Sequence, residues 1–309
     1  MGGLISNLRD FHERNRKAMI EIGFHTDAFN SSYWNFEQCL QWAQKNDVHW
    51  IECGMIDGVS WIHGLGYQPH LAIWEDPMMW REKAAQYGLR FSQIDAAFPL
   101  SLPEGATLGV EYVLRTIRWA YLAGCDHIDT TDDRFAPKGL THDQAMDSMK
   151  RSYAQILEVA ERYKMIIDIE PHGFYTTKPE FMEKMLAFVD SPYLRMNMDT
   201  GNTFIAGQDP VAFLEKFKNK ISHVHVKDVS ETLAASLRGE LTGIAVSQCA
   251  IGDGVNRENI KKCFDVLVDM KYDGVVSLEC EGQGGPMIEK SLAFVREVVA
   301  DANKRLAGN

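Results

Sequence analysis

Residues 221–228 read ISHVHVKD, a stretch in which histidine alternates with aliphatic residues and a lysine follows. Because the side chains of a β-strand point alternately to its two faces, His223, His225 and Lys227 share one face. Imidazole nitrogens bind metal ions and exchange protons near neutral pH, and an ammonium group stabilises a developing anion. The stretch therefore indicates a strand with a catalytic or metal-binding face.

Acidic residues stand at the ends of other apolar runs. IDIEPHG ends its run in Glu170, RMNMDTGN in Asp199 and VVSLECEG in Glu279. If parallel strands bring these ends together with His225, the carboxylates repel one another strongly. A divalent cation would relieve that repulsion. Oxygen-rich ligation with one imidazole favours Mn²⁺, with Mg²⁺, Co²⁺ and Zn²⁺ as alternatives, because the set contains no thiolate.

The alternation of the same strands adds further polar residues to each inward face. Polar side chains that point into a barrel core are costly unless they line a site. His172 is predicted to offer a base separate from the metal ligands, because a neutral imidazole can take up a proton; its alternative role is to orient Glu170. His223 is either a substrate contact or a residue that supports the metal ligands or the core. The residues that share these faces are Asp168, Glu170 and His172; His223, His225 and Lys227; and Ser277, Glu279 and Glu281.

These residues require a scaffold that brings strand ends together. The chain alternates short β-branched runs with amphipathic stretches about eight times, without a Pro/Gly-rich linker. This pattern predicts an α/β fold, a single (β/α)8 TIM barrel domain over 1–309, with an N-terminal extension at 1–18 and the barrel at 19–303. A doubly wound open sheet is the alternative, but no Gly-rich fingerprint follows the first strand. Predicted strands cover 19–24, 49–53, 90–95, 127–130, 165–170, 194–199, 221–226 and 274–279, and predicted helices cover 35–46, 77–87, 110–122, 142–163, 179–188, 210–217, 256–270 and 286–303.

Two strand-to-helix connections are longer than packing requires, at 54–75 after the second strand and 229–255 after the seventh. In a barrel such loops lie on the face that carries chemistry, so both are predicted substrate lids rather than surface decoration. Aromatic and amide groups in the first loop suit stacking on a sugar and hydrogen bonding to it. The predicted substrate contacts are His63, Tyr67, Gln68 and His70 in that loop, His25 and Asp95 near the ends of the first and third strands, and Asn202 and His223.

The composition argues against several functional classes. The 309 residues are 45% hydrophobic with a formal net charge of -11, which disfavours a nucleic-acid partner because phosphate backbones are bound by clustered Lys and Arg. No run of about 18 apolar residues occurs and the N-terminus lacks a signal-peptide pattern, so a cytoplasmic protein without a membrane partner is expected. Six cysteines without CxxC spacing indicate reduced thiols. Small, neutral substrates fit this composition best.

Glu170, Asp199, His225 and Glu279 resemble the strand-end ligands of the xylose isomerase-like (β/α)8 superfamily of sugar isomerases and epimerases. The resemblance runs from about Ile20 to the last helix, through IDIEPHG, MNMDTGNTFIAGQDP, ISHVHVKDVS, IGDGVN and YDGVVSLECEG. It implies that these four residues hold the metal. It also implies a sugar substrate whose carbonyl the metal holds, while a carboxylate or histidine removes a proton from the neighbouring carbon.

The positions that differ within this superfamily indicate the reaction. Ketose 3-epimerases place a glutamate, a histidine and an arginine where this chain has Thr176, Asn202 and Glu231. HVHVKDV is similar to the corresponding stretch of inosose dehydratases, and the overall pattern, with its long loops and LECEGQGGP, resembles the catalytic α subunits of C-glycoside deglycosidases. This resemblance implies β-elimination on a 3-oxo-glycoside and a small second subunit. A homo-oligomer is the other assembly left open.

The predicted activity is therefore that of a metal-dependent ketosugar lyase. His172, Glu170 or Glu279 is the predicted base, and Lys227 is predicted to stabilise the oxyanion, with simple pairing to Asp228 as its alternative role. An aldose–ketose isomerase or epimerase is the competing enzymatic hypothesis. Two further hypotheses are an apurinic endonuclease on the same barrel, which needs more metal ligands and a basic surface, and a sugar-binding protein without activity.

Overall fold

The computed structural model describes residues 18–30, 34–57, 69–239, 243, 246–247, 249–280 and 285–308. Parallel strands in this part of the chain close into a barrel, in which each strand pairs with the next and the last pairs with the first. A two-residue strand, Leu71–Ala72, pairs with the end of the second barrel strand. The barrel strands are β1 Ile20–His25, β2 Trp50–Ile56, β3 Arg90–Pro99, β4 His127–Thr131, β5 Ile166–Ile169, β6 Leu194–Asp199, β7 Ile221–Val226 and β8 Gly274–Leu278.

Helices follow the strands and cover the outside of the barrel. Their starts use ordinary caps: Asn35 and Thr141 each form a capping box with a glutamine three residues later, and Asp76 and Asp209 cap helices that begin with proline. No described helix is long and apolar enough to cross a membrane. The helices are α1 Phe36–Lys45, α2 Pro77–Gln86, α3 Leu108–Ala123, α4 His142–Tyr163, α5 Pro179–Met185, α6 Thr200–Ile205, α7 Pro210–Phe217, α8 Glu231–Leu237, α9 Arg257–Asp269 and α10 Gly285–Gly308, with 3-10 helices at Thr26–Phe29, Pro103–Ala106 and Lys218–Lys220.

The hydrophobic core lies between the strands and the helices. Apolar residues of the strands, such as Ile51, Ile128 and Val224, are fully buried and join one large apolar cluster with the helices. The residues that alternate with them are polar and are equally buried. These are Glu52, Gln93, Asp129, Asp168, Asn197, His223, His225 and Ser277. The barrel interior is therefore a polar column inside an apolar shell.

The predicted (β/α)8 barrel is confirmed, and most element bounds agree closely. β6 and β7 match the predicted 194–199 and 221–226, whereas β1 extends to His25 and β3 extends to Pro99 with an irregular register after Asp95. The predicted loop at 229–255 contains α8, and Leu71–Ala72 gives the end of the 54–75 loop a strand. Residues 58–68 and most of the predicted N-terminal extension lie outside the described residues.

Candidate metal centre

Four side chains meet at the mouth of the barrel, where the strands end. Glu170 directly follows β5, Asp199 ends β6, His225 lies in β7 and Glu279 directly follows β8. All four are buried, and one ligand atom of each lies within 4.8 Å of the others. Neighbouring parallel strands end at the same edge of the barrel. The fold therefore brings together four residues of which the first, Glu170, and the last, Glu279, are more than 100 positions apart in sequence.

His225 lies at the centre of this group. Its Nδ1 is 3.0 Å from Glu170 Oε1, 2.9 Å from Glu279 Oε2 and 3.9 Å from Asp199 Oδ2. On the other side of the ring, Nε2 is 2.8 Å from Glu52 Oε1. Burial would lower the pKa of His225, but Glu52 and Glu279 raise it well above its ordinary value. The imidazole is thus one of two basic groups among these buried carboxylates, the other being the ammonium group of Lys227.

The two acids beside His225 differ in electrostatic state. Burial and Glu279 raise the pKa of Asp199 well above its ordinary value. Burial would also raise the pKa of Glu279, but Lys227 and His225 hold it well below that value. Asp199 Oδ1 accepts a hydrogen bond from the Asn202 backbone N–H at 2.5 Å, whereas Asp199 Oδ2 and Glu279 Oε2 accept none in the described part of the chain. Such buried, unsatisfied acceptors are expensive.

A divalent cation fits this donor set. The unsatisfied oxygens of Asp199 and Glu279 face the group that also holds Glu170 Oε1 and His225 Nδ1. Three carboxylates and one imidazole match the ligands that Mn²⁺ and Mg²⁺ prefer. The imidazole nitrogen also suits Zn²⁺ or Co²⁺. The structure therefore supports the predicted ligand set as a metal-binding constellation, while the choice of metal stays a prediction.

Glu170 is held from two other sides. Asn202 Nδ2 donates to Glu170 Oε1 at 3.2 Å, and His172 Nδ1 lies 3.6 Å from Glu170 Oε2. Burial would raise the pKa of Glu170, but His172 and His225 lower it below its ordinary value. Burial lowers the pKa of His172, and Lys227 adds to this effect, while Glu170 opposes it. The predicted base thus lies beside a candidate ligand, and its lowered pKa favours the neutral imidazole.

Lys227 is 1% exposed, and its Nζ lies 3.0 Å from Glu279 Oε1. The carboxylate of Asp228 instead accepts backbone N–H groups, including those of Val229 and Gly252, and so shapes the loop that follows β7. The ammonium group of Lys227 is therefore directed to Glu279 at the mouth, which argues against simple pairing with Asp228 as its role.

Six of the eight predicted substrate contacts divide into three groups. His25 and Asp95 lie beside the ligands: the His25 ring centroid is 6.0 Å from that of His225, and burial, Glu170 and Glu52 raise the pKa of Asp95 to about 7. The His70 ring centroid is 5.8 Å from that of His25, and His70 Nδ1 accepts from the Gly54 backbone N–H at 3.1 Å. His63, Tyr67 and Gln68 lie outside the described residues.

His223 and Asn202 both have structural partners. His223 is 2% exposed and lies deeper than His225 along β7, with Nδ1 3.3 Å from Asn197 Oδ1. Asn202, in α6, supports both Glu170 and Asp199 through the contacts given above. Both residues therefore support the site, and direct contact with substrate stays a prediction for them.

Glu52 was not predicted as a site residue. It lies in the middle of β2, fully buried, with its Oε1 on His225. Burial would raise the pKa of Glu52, but His225 and His223 lower it to about 2, so the carboxylate is charged. An acid within the apolar run HWIECGM was the available signal, because such a residue must be paired when it points inward.

The positions at which ketose 3-epimerases carry substrate contacts have other tasks in this chain. Thr176 is buried, accepts the backbone N–H groups of His172 and Gly173, and donates to Asp132 Oδ1 at 2.8 Å. Glu231 is the exposed first residue of α8. The third position is Asn202, described above. Thr176 thus shapes the turn that carries His172.

Comparison with known proteins identifies the family of this barrel. Residues 40–298 match the family model described as a xylose isomerase-like TIM barrel. The chain belongs to this family. The predicted superfamily is thereby confirmed, and the strand-end cluster described above lies within the matched range of this xylose isomerase-like TIM barrel.

Proteins with different names are similar to this chain in sequence or in structure. The inosose dehydratase of Clostridium tetani (strain Massachusetts / E88) is 24% identical over 155 residues, which are 48% of this chain and 51% of that protein. The chain spans about half or less of the length of the first curated relatives that it matches. A solved D-tagatose 3-epimerase-like protein has a TM-score of 0.72 at 20% identity, over 93% of this chain and 99% of the other. The IOLI protein, solved with a bound zinc atom, has a TM-score of 0.72 at 14% identity, over 91% and 99%. At these identities the two structures share the fold with this xylose isomerase-like barrel.

Proposed function

We propose that this protein is a divalent-metal-dependent lyase that acts on a ketosugar. In this reaction a proton leaves the carbon next to the ketone, and a substituent on the following carbon is expelled. The observation that carries the proposal is the meeting of Glu170, Asp199, His225 and Glu279, whose ligand atoms lie within 4.8 Å of one another at the barrel mouth. A divalent cation held by these four residues would supply Lewis-acid chemistry that acidifies the carbon next to the ketone.

His172 is the proposed base. It lies beside Glu170, and its lowered pKa favours the neutral imidazole, which can accept a proton. Glu170 and Glu279 are the alternative bases. Their pKa values are lowered and both face His225 Nδ1, which suits ligands better than proton acceptors.

Lys227 is the proposed group that stabilises negative charge on the substrate oxygen. Its buried ammonium group lies 3.0 Å from Glu279 Oε1, at the edge of the ligand group. In a poorly hydrated site a fixed positive charge acts more strongly than it would in water. His25 and Asp95, which border the same group, are the proposed contacts for sugar hydroxyls.

Two leaving groups, an aglycone and water, are compatible with the proposed elimination. The resemblance to C-glycoside deglycosidases favours a 3-oxo-glycoside, from which proton loss at C2 expels an aglycone at C1, and with it a small second subunit. The first curated relatives that the chain matches are inosose dehydratases, which favours water as the leaving group. Both versions require the same proton abstraction beside a ketone, so the same residues would serve either substrate.

An isomerase or epimerase is the second candidate, because a structural neighbour is a D-tagatose 3-epimerase-like protein. Either reaction would start with the same proton abstraction but would end in reprotonation. Thr176 and Asn202 argue against an epimerase, because their side chains support the loop and the ligands. Elimination is therefore the better-supported outcome.

The test is a ketosugar panel followed by NMR in D₂O, with the protein saturated with Mn²⁺. The panel contains an inosose, a 3-oxo-glycoside and free ketoses. Elimination predicts an unsaturated ketone together with released water or aglycone, whereas an isomerase or epimerase gives a new sugar with deuterium next to the carbonyl. Chelator-treated protein is the control. Exchange on free ketoses without elimination from any member would overturn the lyase proposal in favour of the second candidate.

A further inference from the structure

A carboxylate lies on the far side of the central histidine from the ligand group. Glu52 Oε1 is 2.8 Å from His225 Nε2, which is a hydrogen-bond distance. Glu52 is 0% exposed, and β2 places it on the inner face of the barrel opposite His25 of β1. Burying a charged carboxylate is costly unless it is paired. The contact with His225 therefore offsets the cost of burying a charged carboxylate at position 52.

The two nitrogens of His225 face different groups. Nδ1 faces Glu170 and Glu279 at 3.0 and 2.9 Å, while Nε2 faces Glu52. An imidazole that binds a cation is neutral and carries one N–H and one lone pair, so a bond from Nε2–H to Glu52 leaves the Nδ1 lone pair for the cation. An ionised carboxylate can only accept, which fixes this choice of tautomer.

We propose that Glu52 is a positioning residue for the metal centre: it holds His225 in the Nε2–H tautomer and in the orientation that directs Nδ1 to the cation. The inference rests on the metal centre of the proposed function and goes beyond it, because Glu52 is outside the ligand set. A hydrogen-bonded partner on the second nitrogen also makes a ligating imidazole more basic.

A second cation is the competing explanation. Glu52, His223 and His225 form another group whose ligand atoms lie within 4.8 Å of one another. Glu52 Oε2 and His223 Nε2 are 3.9 Å apart, and neither atom has a hydrogen bond in the described part of the chain. However, this group needs His225 Nε2, which Glu52 Oε1 already meets at hydrogen-bond distance. One cation per chain is therefore expected, and two would overturn the proposal.

The first experiment measures Co²⁺ affinity and stoichiometry by visible absorption in the wild type, Glu52→Met and Glu52→Gln. Methionine fills the space without a comparable acceptor, whereas glutamine keeps an acceptor oxygen and loses the charge. We expect Glu52→Met to bind Co²⁺ about 10- to 100-fold more weakly than the wild type, with Glu52→Gln in between. A purely space-filling role predicts equal affinities for both variants, and wild-type affinity in both would overturn the proposal.

Asp168→Asn is the matched control, because Asp168 is another buried carboxylate of the barrel interior bonded to a histidine, His127, at 2.8 Å. It should leave Co²⁺ affinity unchanged. A loss equal to that of Glu52→Met would show a general effect of removing interior charge and would overturn the positioning role. If the wild type binds no Co²⁺, Mn²⁺ or Zn²⁺, the metal centre of the proposed function fails and the inference fails with it.

The second experiment needs no variant at position 52. Long-range ¹⁵N–¹H spectra of the Zn²⁺-loaded wild type report which nitrogen of each histidine carries the proton, and His225→Asn identifies the signals of His225. We expect a proton on Nε2 and coordination through Nδ1. Coordination through Nε2 would overturn the proposal even if the Glu52 variants did not fold.

Discussion

Two polar clusters of the barrel interior differ in how their carboxylates are satisfied. The lower network consists of Asp168, Gln93, His127 and Ser222. Asp168 Oδ2 accepts from Gln93 Nε2 and from His127 Nδ1, each at 2.8 Å, and Asp168 Oδ1 accepts from the Ser222 hydroxyl. Burial would raise the pKa of Asp168, but His127 and Ser222 lower it below its ordinary value. Hydrogen bonds within the protein therefore satisfy both carboxylate oxygens of Asp168.

The mouth cluster, which consists of Glu170, Asp199, His225 and Glu279, is not satisfied in this way. Within the described ranges Asp199 Oδ2 and Glu279 Oε2 have no partner with hydrogen-bond geometry, although His225 Nδ1 lies 2.9 Å from Glu279 Oε2, and the pKa of Asp199 is raised rather than lowered. Both clusters contain buried acids and histidine, so burial of polar groups alone does not identify a site. The shortage of donors is the property that distinguishes a ligand-binding cluster from a structural one.

Removing His225 should have the largest effect on turnover. His225→Asn deletes the imidazole that lies among the carboxylates of the mouth cluster, so it should lose metal binding and reduce turnover below detection. The wild type should gain about 2.7 kcal/mol of unfolding free energy at Mn²⁺ concentrations a hundredfold above Kd, and the variant should gain none. Thermal unfolding with and without Mn²⁺ measures this difference. A variant that kept both its metal and its rate would remove the distinction between the two clusters.

Removing His172 should have the next largest effect, and on chemistry alone. His172→Asn takes away the proposed base, which should lower kcat by about 10²- to 10⁴-fold while Mn²⁺ affinity stays near that of the wild type. Steady-state kinetics and metal titration together provide the measurement. If metal affinity fell with kcat, His172 would act by orienting Glu170, which lies 3.6 Å away.

Much of this site could be predicted from the sequence, because alternation along a strand is a local pattern. The ranges 194–199 and 221–226 were predicted as they occur, and they carry Asp199 and His225. Glu170 and Glu279 follow directly after their strands, so the convergence of parallel strand ends was sufficient to group all four. The role of each residue beyond this grouping stays a prediction.

Features that depend on barrel closure could not be predicted in this way. Glu52 meets His225 although the two are 173 positions apart, and no local pattern records that contact. Helix α6 was not predicted, because it has six residues and its first turn is capped by the Asp199 side chain. In both cases a residue of the site also sets the local structure, which hydrophobic periodicity alone does not reveal.

A smaller effect on turnover is expected from moving Lys227 without deleting it. A β-carbon at Gly201 would lie 2.6 Å from Lys227 Cβ, so Gly201→Ala must displace the stem of the lysine and with it the ammonium group beside Glu279. A displacement of about 1 Å should lower kcat by up to about 100-fold. Gly285→Ala is the control, because among the described residues no atom beyond its own helix backbone lies within 4 Å of the added carbon. Equal kcat values for the two variants would mean that the position of Lys227 does not matter.

The lower network should show no effect on turnover but a clear effect on stability. Asp168→Asn breaks a buried pair and should lower the free energy of unfolding by about 3 kcal/mol, measured by urea denaturation. The pKa of Asp168 is lowered from 3.8, so its contribution is present above pH 3.8 and is lost as the pH falls through the lowered value. Although burial lowers the pKa of His127, Asp168 raises it above 6.5, so that contribution is complete below pH 6.5 and is lost as the pH rises through the raised value. The difference between wild type and variant should therefore be largest between pH 3.8 and 6.5. A loss of turnover without a loss of stability would make the lower network part of the site.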